Sequence, residues 1–274
     1  MATWLITGCS SGLGHEIAKA ALDAGHNVIV TARQSKRLQD FVANYPDRAL
    51  AVDLDITRKD QIDAVIQAAN TAFGQIDILV NNAGYGYRAA IEEGDDKEVS
   101  NLFQTNVFGA VSMMKAILPT MREKRQGIIV NISSVAPYIA SPGSGYYSAT
   151  KLALEGVSAA LRNEVKSLGI KVMTVQPGAF RTDFAGRSLH GAKTTIADYD
   201  LTVGPRRKSN DTTSGKELGD PVKAAHILLD VITGSNLPDH LLLGSDAVKW
   251  AKDAIYDKSQ EINRWEAVSK KTDF

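Results

Sequence analysis

Short apolar runs alternate with longer helical patterns along most of the chain, and this rhythm limits the possible folds more than any other feature. The runs are continuously apolar, as in Val28-Ile29-Val30, which is typical of strands that are covered on both faces. Strands that alternate with helices are joined by right-handed crossovers and form a parallel sheet. The sequence therefore predicts an α/β fold, a doubly wound parallel sheet of about seven strands, in a single domain over residues 1–274. A closed eightfold barrel is the alternative, but it needs one more unit.

The predicted strands cover residues 4–7, 27–31, 50–54, 76–80, 127–132, 170–175 and 241–243. Helices are predicted at 15–24, from about 35, at 58–72, at 97–122 and at 147–168, with a break in the fourth near Thr105-Asn106. Residues 184–220 are polar and weakly periodic. A long segment of this kind is usually either functional or disordered, and here we expect a lid over the substrate.

Composition excludes several classes of protein. The 31 basic and 31 acidic residues cancel, so no charge excess favours nucleic acid or an anionic membrane. The single cysteine, Cys9, cannot form an intrachain disulfide, which favours a reducing compartment. We find no apolar run long enough for a membrane span, no signal peptide and no set of metal ligands, and we expect a cytoplasmic protein.

A glycine-rich loop, Thr7–Gly14, follows the first predicted strand and precedes a helix. Gly8 permits a tight turn, Gly12 allows close approach of a pyrophosphate, and Gly14 lets the helix pack near the sheet. Such a loop alone is often only a turn, but its position favours a dinucleotide at the helix N-terminus. The candidate cofactor-binding residues here are Gly8, Ser10, Ser11, Gly12, Leu13 and Gly14.

The end of the second strand indicates which dinucleotide binds. NAD-preferring folds usually place an acid there to accept from the ribose 2′-hydroxyl. This strand instead ends in Ala32-Arg33, and no acid follows before Asp40. A guanidinium suits the 2′-phosphate of NADP, with Arg37 as a possible helper, so we expect NADP (NADPH) as the cofactor. The alternative is an Arg33 that is only solvated.

Tyr147 and Lys151 stand four residues apart, which places both side chains on one helix face. A phenol titrates near pH 10, and a close ammonium makes its proton transfer feasible near neutrality. The spacing alone is weak support, because it arises often by chance. Ser134 adds to it, since it follows the fifth strand at the edge where open α/β sheets bind ligands, and its hydroxyl can donate to an oxyanion.

Taken together, these motifs resemble the short-chain dehydrogenases/reductases, in their NADP-preferring form, over nearly the whole chain to about residue 250. The resemblance implies a Rossmann fold and hydride transfer between the cofactor and a carbonyl/alcohol pair. The implied catalytic residues are Asn106, Ser134, Tyr147 and Lys151. The implied cofactor contacts beyond the glycine loop and Arg33 are Asp55, Ile56, Asn82, Ala83, Gly84, Tyr147, Lys151, Pro177, Gly178 and Thr182.

The resemblance also implies a role for each catalytic residue. Tyr147 exchanges the proton with the substrate oxygen, which Ser134 fixes. Lys151 lowers the pKa of Tyr147 and holds the nicotinamide ribose, and Asn106 holds a water that links Lys151 to solvent. Pro137 departs from the family, where a glycine is common at this position, and it reshapes the substrate side of the pocket.

Two other function classes stay open: a non-catalytic NADP-binding sensor, and a nucleotide-sugar epimerase or dehydratase. The candidate pocket residues are mostly apolar, so a lipophilic ketone or alcohol is favoured, although these residues could be ordinary core. They are Val135, Ala136, Tyr138, Ile139, Phe180 and Phe184. Small residues on the helix from Tyr147 would allow a second subunit to approach, and the resemblance implies a homodimer or homotetramer.

Overall fold

The computed structural model describes residues 1–184, 186, 188–207 and 216–274. Its main sheet has seven parallel strands in the order β3-β2-β1-β4-β6-β7-β9. The predicted sheet is confirmed, and the barrel is wrong because β3 and β9 are the two edges of an open sheet. The strands of this sheet are β1 (Thr3–Ile6), β2 (Asn27–Ala32), β3 (Ala49–Asp53), β4 (Ile78–Asn81), β6 (Gly127–Ile132), β7 (Ile170–Pro177) and β9 (His240–Leu243).

Helices cover both faces of this sheet. One apolar cluster lies under the first helix of the chain and under a helix near the C-terminal end of the chain. It includes Ile17, Leu22 and Leu228. The other lies under the helices of the middle of the chain, through residues such as Val65 and Ile117. The helices are α1 (Gly12–Asp23), α2 (Gln39–Asn44), α3 (Lys59–Phe73), α4 (Asp96–Phe103), α5 (Ala110–Lys124), α6 (Ala136–Ile139), α7 (Gly145–Val165), α8 (Pro221–Thr233) and α9 (Ser245–Ser269).

The strand order reverses at β1, which pairs with β2 on one side and with β4 on the other. Connections that leave β1 and β4 therefore diverge to opposite faces and open a crevice at the carboxyl ends of the strands. The glycine loop leaves β1 at this crevice, and the turn at residues 82–84 leaves β4 beside it. The topology thus brings distant segments of the sequence to one edge.

The predicted break in the long helix is a local widening. Residues Gln104–Gly109 form a π-helix between α4 and α5, so the chain stays helical. A π-turn shifts the backbone ladder by one residue, and such turns are frequent at functional sites. Here the turn carries Asn106, whose side chain is buried.

A buried polar ladder ties the sheet to α7. Asn81 Nδ2 donates to Asn131 Oδ1 at 2.8 Å, and Asn131 Nδ2 donates to Ser158 Oγ at 2.8 Å. The Ser158 hydroxyl in turn donates to the Leu154 carbonyl at 2.6 Å. Buried polar groups are costly unless they are paired, so this ladder fixes one arrangement of β4, β6 and α7.

The expected lid segment has more structure than its sequence suggests. Strand β8 (Leu189–Gly191) pairs in parallel with β5 (Gly86–Arg88), and a 3₁₀ turn covers Ala197–Tyr199. The buried Glu93 carboxylate accepts from the Ile196 amide at 2.8 Å and forms an ion pair with Arg207. The described part of 184–220 is therefore docked on the body through contacts that have no local sequence signal. Residues 185, 187 and 208–215 of the expected lid lie outside the described residues.

Candidate active site

The glycine loop requires glycine at several positions for steric reasons. Gly8 and Gly12 have φ values of +76° and +64°, in the left-handed region that side chains disfavour. A Cβ on Gly14 would lie 2.2 Å from Asn82 Nδ2, so no larger residue fits there. Helix α1 starts with no side-chain cap from Ser11 and no acid in its first turn. Its first N–H groups are therefore suited to an anionic ligand such as a pyrophosphate.

Asn82 holds this loop against the turn that follows β4. Its Nδ2 donates to the carbonyls of Thr7 and Gly8, at 2.9 and 3.1 Å. In return, Thr7 Oγ1 accepts from the amides of Asn82 and Ala83, at 3.0 and 2.9 Å. These four bonds fix the spacing of the two segments on either side of the crevice.

Ser134, Tyr147 and Lys151 meet at the carboxyl end of β6, as the sequence predicts. The Tyr147 hydroxyl forms a hydrogen bond with Ser134, whose Oγ also accepts from the Ala136 amide at 3.1 Å. Lys151 Nζ lies 5.7 Å from the centre of the Tyr147 ring and donates to the Ile132 carbonyl at 2.8 Å. Helix α7 thus brings both side chains to the loop that follows β6.

Burial shifts both titrating groups away from their ionised forms. Desolvation raises the pKa of Tyr147 to about 12, and the hydrogen bond with Ser134 offsets this only in part. Desolvation also lowers the pKa of Lys151 to about 8, against the opposing charge of Glu155 one turn further along α7. The expected lowering of the Tyr147 pKa is thus absent in the protein without cofactor, because the cost of burial dominates.

The side chain of Asn106 is held near Lys151 by three hydrogen bonds. Its Nδ2 donates to the Tyr85 carbonyl at 2.8 Å and to Thr150 Oγ1 at 3.2 Å, and its Oδ1 accepts from the Tyr85 amide at 3.0 Å. A Cβ on Gly84 would lie 3.0 Å from Asn106 Oδ1 and 3.7 Å from Lys151 Nζ. The predicted Gly84 therefore lies between the two catalytic candidates.

The loop after β7 is held by a residue that the sequence analysis missed. Asp246, in the first turn of α9, accepts from the Ala179 amide at 2.9 Å through Oδ2. A Cβ on Gly178 would lie 2.3 Å from Asp246 Oδ1, so glycine is required at 178. A Cβ on Gly12 would lie 3.4 Å from the Thr182 side chain, which places this loop directly beside the glycine loop.

The candidate adenine-side residues lie at the carboxyl ends of β2 and β3. Arg33 is exposed directly after β2. Asp55 Oδ1 accepts from the amide and hydroxyl of Thr57, at 3.0 and 2.7 Å, so this oxygen is engaged within its own turn. The Ile56 side chain is buried, and a Cβ on Gly109 would lie 2.7 Å from it.

The apolar pocket candidates divide into two groups. The ring centre of Phe184 lies 5.7 Å from that of Tyr147. Tyr138 lies on α6, which directly follows the loop that carries Ser134. Val135 is buried directly after Ser134. Phe180 is partly buried and packs against the core, with Gly219 beside its ring.

Two nearby reactive side chains have structural roles. Tyr146 donates its hydroxyl to the Ile91 carbonyl at 2.6 Å, which directs it away from Lys151. Burial raises the pKa of the Cys9 thiol to about 12, so it is unreactive at neutral pH. Within the described residues no cluster of side chains could hold a metal ion. No helix in the same part of the chain is long and apolar enough to cross a membrane.

Comparison with known proteins decides the family. The family model described as short chain dehydrogenase matches residues 2–192. The chain is a short-chain dehydrogenase/reductase. It is 38% identical over 267 residues to Oxidoreductase BOA17 of Botryotinia fuckeliana, which covers 97% of each chain. It is 42% identical over 180 residues to a 3-ketodihydrosphingosine reductase of Bacteroides thetaiotaomicron, covering 66% of this chain and 64% of that one.

A solved structure agrees over the full length. The short-chain dehydrogenase from Streptomyces avermitilis is 42% identical with a TM-score of 0.92, and the match covers 100% of this chain and 98% of that chain. Other matching short-chain dehydrogenase/reductase structures contain NADP or NADH. The protein is therefore an oxidoreductase of this family, in which nicotinamide cofactors bind.

The buried lysine makes a testable contribution to stability. Its pKa falls from 10.5 when unfolded to about 8 when folded, so its protonation opposes folding fully below about pH 8, and this cost disappears as the pH rises toward 10.5. Lys151→Met removes the titrating group. Between pH 7 and pH 10, we expect the unfolding free energy of the wild type to gain about 2 kcal/mol relative to the variant. Urea titrations at both pH values measure this, with the exposed Lys115→Met as the control. Parallel pH profiles for wild type and Lys151→Met would contradict a buried ammonium.

Proposed function

We propose that this enzyme is an NADP(H)-dependent oxidoreductase that interconverts a ketone or aldehyde and an alcohol on a lipophilic small molecule. The observation that carries the proposal is the meeting of Ser134, Tyr147 and Lys151 at the crevice beside the glycine loop. A hydroxyl donor, a phenol and an ammonium around one point suit a reaction in which an oxygen gains or loses a proton.

The proton moves through Tyr147. Its hydroxyl donates to the carbonyl oxygen during reduction and accepts from the alcohol during oxidation. Ser134 Oγ accepts from the Ala136 amide, and its hydroxyl hydrogen, which meets Tyr147 in this structure, would turn to the substrate oxygen when substrate binds. The bound cofactor supplies or accepts a hydride at the substrate carbon.

Lys151 supports this step through its charge. With a pKa of about 8, most of its population is protonated at neutral pH, and an ammonium near the ring stabilises the phenolate that reduction leaves behind. The same group would donate to the nicotinamide ribose hydroxyls. Asn106 is fixed in its π-turn by three side-chain hydrogen bonds. It would hold a water that connects Lys151 with solvent.

The cofactor proposal rests on the charges near the end of β2. Arg33 is exposed there. Asp53, which lies on the neighbouring β3 in register with Ala32, accepts from the Ser35 amide at 2.5 Å through Oδ1, so this oxygen is engaged by the loop itself. A guanidinium beside the 2′-ribose position favours NADP, with Arg37, Ser10 or Ser11 as further donors.

The remaining cofactor residues follow from their places in the crevice. The glycine loop, including Gly8, Gly12, Leu13 and Gly14, would hold the pyrophosphate. The other proposed contacts are Asp55 and Ile56 at the adenine, Asn82, Ala83 and Gly84 along the crevice, and Pro177, Gly178 and Thr182 at the nicotinamide.

A lipophilic substrate fits the side chains around Tyr147. Phe184, Val135 and Tyr138 are aromatic or aliphatic, and the match to a relative named for the reduction of a long-chain ketone supports the same class. The sensor is a weaker alternative, because it has no need for this serine, tyrosine and lysine together. The nucleotide-sugar enzyme is a weaker alternative, because such enzymes usually have a different spacing of glycines in the loop after the first strand.

We also propose an assembly and a location. Helix α7 exposes Leu152 by 60%, and Phe108 before α5 is exposed by 52%. Large exposed apolar side chains on adjacent helices favour a homodimer or homotetramer that covers them. The one cysteine is a buried thiol, which suits the cytoplasm.

Tyr147→Phe tests the proton donor. The variant loses the hydroxyl and keeps the ring, so we expect turnover to fall by about 10² to 10⁴ while NADPH still binds. Tyr146→Phe is the matched control, since it removes a neighbouring hydroxyl that bonds only to the Ile91 carbonyl. Steady-state kinetics with a reactive ketone measure both. Retention of more than about a tenth of the turnover in Tyr147→Phe would rule out this role.

Arg33 tests the cofactor. Charge-assisted bonds contribute roughly 1.5–3 kcal/mol each, so Arg33→Ala should weaken NADPH binding by about 10- to 150-fold and leave NADH binding nearly unchanged. Arg33→Asp should shift the preference to NADH. Fluorescence titration with both cofactors measures this, with the distant, exposed Arg264→Ala as the control. Equal weakening of both cofactors by Arg33→Ala would refute the assignment.

The proposed lid, about residues 184–220, is tested by amide exchange. Its described part is held on the body mainly by polar contacts, among them those of β8 with β5 and of Glu93 with Arg207. We expect fast exchange at residues 188–207 in the free enzyme and slower exchange in the ternary complex. Glu93→Gln should speed exchange in the free enzyme by weakening the ion pair. Equal protection in the free and ternary states would show that this segment is no lid.

A further inference from the structure

The C-terminal helix α9 extends beyond the body of the protein. Its first turns are anchored, because Ala247 and Ala251 are fully buried where the helix packs near α6 and β9. From Lys252 to the C-terminus every residue except Ala254 is exposed. About five turns of regular helix therefore have no partner within the described part of the chain.

The exposed part carries an apolar stripe that continues the buried face. Ile255, Ile262, Trp265 and Val268 are 58%, 60%, 54% and 51% exposed. At 3.6 residues per turn, Ile255, Ile262 and Trp265 lie within about 40° of the side of the helix that carries Ala251, and Val268 lies at the edge of this stripe. An exposed apolar stripe of this kind implies a covering partner.

A membrane surface is a poor partner for this stripe. Helices that lie in a membrane interface are rich in lysine and arginine on the polar face. Here four basic and four acidic side chains alternate from residue 252 to residue 270 and cancel: Lys252, Asp253, Asp257, Lys258, Glu261, Arg264, Glu266 and Lys270. A balanced pattern of this kind is typical of a helix that pairs with another helix.

We propose that α9 pairs antiparallel with α9 of a second copy of this chain, about a two-fold axis that crosses the apolar stripe midway along its length, at the level of residues 259–260. Lys258 and Glu261 interrupt the stripe at its middle, and neither forms an ion pair within the described residues. Antiparallel pairing places Lys258 beside Glu261 of the partner subunit, and the two-fold axis repeats this contact. It also brings Lys252 near Glu266 of the partner subunit and packs Ile255 against Trp265 of the partner subunit.

The opposite orientation is unfavourable. In a parallel pair, Lys258 would face Lys258 of the partner subunit across the seam, and Glu261 would face Glu266 of the partner subunit at flanking positions. Like charges at these sites select against a pairing. Glu266 forms an ion pair with Lys270 one turn further along α9. An exposed ion pair of this type contributes little to stability, so Glu266 can also interact with Lys252 of the partner subunit. Charge therefore selects the antiparallel arrangement.

The α9 pair is a different interface from the proposed α5/α7 face. If both form, the enzyme is a tetramer with two kinds of contact, and if only the α9 pair forms, it is a dimer. In either case, loss of the α9 pair halves the mass. Light scattering at micromolar concentration measures this directly, and the α9 proposal does not depend on the chemistry of the active site.

The first test uses substitutions on α9. Ile262→Asp should halve the mass, whereas Gln260→Asp, on the opposite side of the helix, should leave it unchanged. Lys258→Glu should also halve the mass, because it opposes Glu261 of the partner subunit. The double variant Lys258→Glu/Glu261→Lys restores opposite charges and should restore the mass. NADPH binding, which needs none of these side chains, confirms that each variant is folded.

The second test reads the orientation. Ser259→Cys lies beside the proposed axis, so in the antiparallel pair it should form a disulfide between subunits under mild oxidation. Ser269→Cys would cross-link only in a parallel pair. The native Cys9 is buried and does not compete.

Three results would overturn the proposal: an unchanged mass for Ile262→Asp, no rescue by the double charge reversal, or cross-linking through Ser269→Cys rather than Ser259→Cys. A monomeric wild type that sediments with phosphatidylcholine/phosphatidylserine vesicles would also overturn it and would assign the stripe to a membrane. Leu152→Asp separates the two interfaces, since it should leave the Ser259→Cys cross-link intact.

Discussion

The buried ammonium of Lys151 is the interaction around which the site is built. A protonated lysine in the interior opposes folding, and its single described hydrogen bond, to the Ile132 carbonyl, offsets only part of the cost. This cost to stability is consistent with the role that we propose for Lys151 in the reaction. Its position depends on α7, and the ladder from Asn131 to Ser158 holds that helix on the sheet.

The main sheet could be predicted because its strands are continuously apolar and because the glycines that its loops require can be recognised in the sequence. Gly8 and Gly12 have the left-handed φ values that glycine permits, and the pattern of these loops is visible in sequence. The small sheet could not be predicted, since β5 and β8 are three residues each and lie about a hundred positions apart. Helices α8 and α9 were missed, and the apolar stripe of α9 is interrupted by Lys258 and Glu261, which hides its period.

Within the site, local spacing carried the correct part of the prediction. Four residues on a helix place Tyr147 and Lys151 together regardless of the rest of the fold. The pKa values could not be predicted in this way, because the dominant cause of both shifts is desolvation, which depends on tertiary burial. The contact of Asp246 with the Ala179 amide spans 67 positions and has no local signal at all. The preference for NADP stays a prediction, because it depends on whether Arg33 binds the 2′-phosphate of the cofactor.

In the reaction that we propose, a nicotinamide cofactor bound in this crevice would deliver a hydride to a carbonyl carbon while Tyr147 protonates the oxygen. The most direct measurement incubates the enzyme with NADPH deuterated at C4, in both stereochemical forms, and a panel of lipophilic ketones and aldehydes, followed by mass spectrometry of the products. The account predicts one deuterium on the new alcohol carbon from one of the two forms and none from the other. Cofactor binding without deuterium transfer to any carbonyl compound would contradict it and would favour a sensor.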